Sequence, residues 1–235
     1  PTETGFHCDK TTTANWIAVD NFTLSYMGKA TFSAAYIALQ NLVKRTMAAY
    51  SEEELAWLLA QTAAKDAFMN ALVAATEVLK TQDAADEVYT TAAANLTAAF
   101  EALNASKAVY DKLAKLRDKF YNLAGALGEY NTDEMYKMED NLITAALEID
   151  DLLAEAECGQ EELDLYTVRY NVYDQMYKVF EYTAAQKADN AEDDVLCAMI
   201  EAKEAELRVI WCDTPFDTVE QVAAFKDEVA SMIAQ

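Results

Sequence analysis

Apolar side chains recur at intervals of three and four residues through most of this chain. The clearest run is Tyr89, Ala93, Leu96, Phe100, Leu103, Tyr110, Leu113, Phe120, Leu123 and Leu127, with Arg117 on the same stripe and a gap at Ser106 and Lys107. Positions so spaced fall on one side of an α-helix, so the run predicts a helix with one face on a core. Upstream, Leu39, Val43, Met47, Tyr50, Leu55, Leu58, Phe68, Leu72 and Leu79 carry a similar stripe over about 31–82. Ser51 followed by Glu52, Glu53 and Glu54 has the form of a capping box and could start a fresh helix. The stripe runs across it, which favours one helix or a shallow kink.

Downstream the pattern continues. Asp83 to Asp86 offers an N-cap for the helix that carries the first stripe. Gly125, Gly128 and Asn131 mark a turn, after which Thr132 or Asp133 caps a helix bearing Met135, Met138, Leu142, Ala145, Ile149, Leu152 and Ala156. Cys158 and Gly159 stop it. A further helix runs from about 160 to 211, with a possible break and second cap at Asp189 and Asn190. Thr214 and Pro215 open a short last helix with Val219, Val222, Phe225, Val229 and Met232 on one face. Residues 1–28 are less regular, with Phe6, His7, Cys8, Trp16 and Ile17 suited to pinning that segment to a bundle.

Backbone breakers agree. Gly5, Gly28, Gly125, Gly128 and Gly159 are the only glycines, and Pro1 and Pro215 the only prolines, so 29–124 contains neither. Helices of 40 residues span roughly 60 Å at 1.5 Å per residue, and short turns lay such helices antiparallel to their neighbours. The expected fold is all-α: an elongated antiparallel bundle of three to four long helices with short extra helices at one end. Residues 1–28 form the irregular segment and 29–235 one elongated bundle.

Composition narrows the setting. The 235 residues include 44 alanines and carry a net charge of −23. Alanine suits close helix packing, and the charge opposes binding to nucleic acid or to anionic membranes, both of which require clustered Lys and Arg. No stretch reaches the ~18 apolar residues of a membrane span. The chain begins at Pro1 without an initiator Met, as a mature or trimmed ectodomain would, which places any signal or anchor segment outside it. Cys8, Cys158, Cys197 and Cys212 are even in number and far apart, which suits one or two disulfides better than a zinc site. If 160–211 were one straight helix, Cys158 and Cys197 would lie about 55–60 Å apart, far beyond the roughly 7 Å a disulfide allows between Cα atoms. Cys8 could still reach Cys197 or Cys212, and a break near Asn190 would reopen the other pairings. Asn21, Asn95 and Asn104 each head an Asn-x-Ser/Thr triplet, which adds to the expectation of an exported protein.

Catalytic chemistry finds little to work with. His7 is the only histidine, which argues against Ser-His-Asp or Cys-His catalysis and against the histidine-bearing metal motifs of helical bundles. Nucleotide-binding glycine loops are absent, and the acidic runs lack the spacing of a calcium loop. No cofactor, no metal and no enzymatic activity are expected. The most unusual local feature is Tyr166, Tyr170, Tyr173 and Tyr177, which line one helix face. Phenols fill a bundle seam well, and tyrosine is also enriched in binding hot spots. This face therefore reads as core, or, with Arg169 beside it, as a surface for an acidic partner or a sugar.

A chain of long Ala/Glu-rich helices, poor in cysteine and carrying sequons, resembles the surface glycoproteins of African trypanosomes. These include the glutamic acid/alanine-rich protein, its alanine-rich and metacyclic invariant relatives and, more distantly, the haptoglobin–haemoglobin receptor. The resemblance implies a GPI-anchored ectodomain at the extracellular face of the cell surface, a non-enzymatic coat or interaction molecule for a host or vector protein or glycan. A receptor or carrier for a protein or lipid ligand, and an intracellular helical scaffold, are the alternative readings.

Overall fold

In a computed structural model the described residues are 32–81, 83–128, 133–213, 220–221, 223–224 and 227. The chain divides into two units, Pro1–Phe32 and Ser33–Gln235. The segment expected to be irregular, with His7, Cys8 and Asn21, lies outside the described residues, as do Val219, Val222, Phe225, Val229 and Met232 of the expected short last helix.

Among the described residues the second unit is an all-helical bundle of seven helices: α1 (Ala34–Ala49), α2 (Glu52–Trp57), α3 (Thr62–Lys80), α4 (Asp86–Leu127), α5 (Asp133–Glu155), α6 (Gln160–Asp189) and α7 (Asp194–Asp213). The one helix, or shallow kink, expected over 31–82 is instead three helices. Ser51 accounts for the first of the two breaks: its side chain accepts from Glu54 N at 3.1 Å while Glu54 Oε2 accepts from Ser51 N at 2.8 Å. That reciprocal pair satisfies two donors at the start of α2 and lets α1 end at Ala49. The break also resets the stripe. Thr46 is buried and bonds back to Val43 O, whereas Met47, expected in the core, is exposed.

The expected N-cap of α4 also differs. Ala85 occupies the cap without a side-chain bond. The turn is held by Tyr89, whose hydroxyl accepts from Ala84 N and donates to Thr81 O.

α4 is the axis of the packing. Its 42 residues extend about 63 Å at 1.5 Å per residue. Its first half, with Tyr89, Leu96 and Leu103, builds one core with Tyr36, Leu39 and Val43 of α1, Leu55 of α2 and Phe68 and Ala75 of α3. Tyr36 meets Tyr89 and Tyr50 meets Phe100, so α1 runs in the same direction as α4. The second half, Tyr110 to Leu127, builds another core with Met135, Met138, Leu142, Ala145 and Ile149 of α5 and with α6. Leu153 takes the buried place expected of Leu152, which is half-buried.

The two cores meet at the gap in the α4 stripe. Ser106 Oγ accepts from Gln61 N at 2.8 Å, Gln61 Nε2 donates to Cys158 O at 3.0 Å, and Thr62 N donates to Ala156 O at 2.9 Å. Ala156 adopts φ 55°, a left-handed conformation that ends α5. The loop before α3 and the turn after α5 therefore close on each other across the middle of α4. Ser106→Ala removes the acceptor of a partly buried N–H and is expected to cost about 1–3 kcal/mol. Urea unfolding checks this, and a change below about 0.3 kcal/mol would remove Ser106 from the junction.

Candidate functional surface

The tyrosine face of α6 is positioned by Gly159, whose N–H donates to Glu162 Oε2 at 2.7 Å and starts the helix immediately after α5. The buried side of α6 is Leu163, Tyr166, Arg169, Val172, Tyr173, Met176 and Phe180. Tyr170 and Tyr177 lie half-buried beside that stripe. The Phe120 ring of α4 packs nearly perpendicular to those of Tyr170 and Tyr173, with centroids 5.4 and 6.4 Å away, arrangements favoured by the ring quadrupoles.

Arg169 is occupied within the fold. Its Nη1 donates to Glu148 Oε2 at 2.7 Å, Tyr166 Oη donates to the same oxygen at 2.9 Å, and the guanidinium sits 5.0 Å from the Tyr166 ring centroid. Burial, and then the Glu148 carboxylate alongside, push the Tyr166 phenol above its ordinary value. Burial and the adjacent Cys158 do the same to Tyr110. The arrangement stores a neutral phenol against a carboxylate. As a surface, the α6 face offers only the half-exposed edges of Tyr170 and Tyr177.

The other marked residues are dispersed. Asn95 is exposed on α4, and Asn104 is half-buried. Asn104 Oδ1 accepts from Tyr50 Oη at 2.7 Å and its Nδ2 donates to Phe100 O at 2.9 Å. Since Ser106 belongs to the junction, the Asn104 triplet has both its polar side chains committed to the fold. Cys158 and Cys197 are free thiols, the first buried and the second half-buried. Of the two partners expected for Cys8, Cys197 therefore carries no disulfide here, and the side chain of the alternative, Cys212, falls outside what is described. α7 starts afresh after the turn at 190–193, and the Cys197 Sγ lies 3.5 Å from Asn190 O and 3.9 Å from Lys187 O. Cys8 and the side chain of Cys212 lie outside the described residues. Among the described residues no His, Cys, Asp and Glu side chains are grouped to hold a metal, and no helix is long and apolar enough to cross a membrane.

Two features had no sequence signal. Glu204 of α7 is buried, accepts from Thr183 and Lys187 of α6, and lies 3.6 Å from Arg208 Nη2, which clasps α7 to α6. Trp57, by contrast, is 82% exposed. Helical spacing alone assigned neither, because both depend on which helix packs where. No protein-family model, curated protein or solved structure matches the chain.

Tyr173→Ala should destabilise the bundle by about 3–5 kcal/mol, as aromatic truncations in cores do, whereas Tyr182→Ala at a 65% exposed position should change stability by less than about 0.5 kcal/mol. Thermal melts of the two variants check the contrast. Equal shifts would overturn the burial assignment.

Stability should also fall in alkali. Tyr110 and Tyr166 are held protonated above their unfolded value, so their contribution is complete below about pH 10 and is lost as pH rises through the folded values. Urea midpoints measured from pH 8 to 11 should decline, and less so in Tyr166→Phe. A flat midpoint would count against this.

Proposed function

We propose that this chain is the non-enzymatic ectodomain of a cell-surface glycoprotein, displayed on the extracellular face through a lipid anchor. It acts as a coat or as an interaction molecule for a host or vector protein or glycan. In this reading three to four long helices, each antiparallel to the next in sequence, make an elongated bundle, with the shorter helices packed beside them. The observation that carries this reading is α4, a single 42-residue helix that supports two successive cores. Such an axis suits reach from a surface better than an enclosed pocket. The exposed Asn95 offers a place for glycan on its flank, and the acidic surface keeps neighbouring copies apart.

The free thiols of Cys158 and Cys197 favour a second reading, an intracellular helical scaffold in a reducing compartment. Labelling of intact cells with a membrane-impermeant reagent separates the two. The surface reading expects labelling without permeabilisation, and a glycosidase-sensitive mass increment at Asn95 but not at Asn104. Labelling seen only after lysis would reject it in favour of the scaffold.

A further inference from the structure

α2 is a single capped turn and a half whose only buried residue is Leu55. Two residues on, about 200° around the helix axis, the Trp57 indole is carried to the opposite side and stands 82% exposed. An indole this open is uncommon, because tryptophan is among the most buried residues on average. It forms one wall of an open concavity of about 820 Å³ between the end of α1 and α2, lined by Tyr50, Ser51, Glu53, Glu54, Trp57 and Leu58, together with Ala49. The lining holds two carboxylates, two aromatic rings and no cation.

Much of this concavity is rigid before anything enters it. Tyr50 is held by its 2.7 Å bond to Asn104 Oδ1 and by edge contacts with Phe68 and Phe100. The reciprocal bonds of Ser51 and Glu54 lock the start of α2. A surface already ordered loses less entropy on binding. Aromatic faces attract Lys and Arg side chains, Trp most strongly, and the neighbouring carboxylates add direct charge complementarity. The net charge of −23 draws a cationic partner to the molecule as a whole.

We propose that this concavity is a docking site for a basic peptide segment, with Trp57 as its anchor and Glu53 pairing with a Lys or Arg side chain of the partner. This rests on the reading of the chain as an interaction molecule, but not on where the chain is displayed.

Calorimetric titration of the purified full chain with a hexa-arginine peptide tests it, with an uncharged peptide of equal length and an apolar sequence as comparison. Trp57→Ala should weaken hexa-arginine binding at least tenfold and Trp57→Phe less. Glu53→Gln should weaken it about threefold, while Glu192→Gln, an exposed carboxylate on the distant α6–α7 turn, should leave it unchanged. Circular dichroism and melting temperature confirm that each variant is folded; Glu53, unlike Glu54, takes no part in the cap. Absence of binding, equal binding in Trp57→Ala, equal losses in Glu53→Gln and Glu192→Gln, or equal affinity for the uncharged peptide would each overturn the proposal. Because the assay uses purified protein, its failure is distinct from a failure of surface labelling in cells.

Discussion

The continuity of α4 through Ser106 is the constraint on which the rest of the bundle depends. A helix that carries one core on Tyr89–Leu103 and another on Tyr110–Leu127 must pass between them without offering a large apolar group to either. Serine does this. It leaves room for the loop before α3 and the turn after α5 to approach, and it supplies the acceptor that the Gln61 N–H would otherwise lack. Gln61 then completes the closure by reaching the carbonyls at the end of α5. Without that polar joint, two loop ends with unpaired backbone groups would face each other beside apolar surface, at a cost comparable to the bonds they lack.

Polar groups elsewhere in the interior follow the same rule. Arg169 and Tyr166 converge on Glu148, and Lys187, Arg208 and Thr183 converge on Glu204. Each cluster joins two helices, α5 to α6 and α6 to α7. A charge withdrawn from water is tolerated when its partners are fixed around it, and removing one member leaves the others uncompensated. Each clasp ties named positions on one helix to a single carboxylate on its neighbour. They also explain why an arginine next to a tyrosine stripe is drawn inward instead of facing a partner.

The free surface is set by what packing leaves over. On α6 the phenols are mostly drawn into the seam. On α2, six residues are too few to present more than one buried contact, so the helix that Leu55 anchors must turn Trp57 outward. The short capped helix thus makes an exposed aromatic next to three successive acids.

Much of the helical structure was legible from local information. The three–four stripes identified α4, α5 and α6, because helical periodicity and the scarcity of glycine and proline act over a few turns. The Ser51 box and the interruption near Asn190 were visible too, as was the gap at Ser106. What those features meant was not legible. Whether a cap breaks a helix depends on whether the next segment has a core to join, and α2 gains one only through Leu55. The partners of Ser106 and Cys158 stand 45 and 97 residues away, the parallel course of α1 along α4 spans more than 50, and the fates of Arg169, Thr46 and Trp57 follow from those contacts. Local pattern decides that a face is apolar, but only the assembled helices decide what covers it, because burial is a property of neighbours and not of spacing.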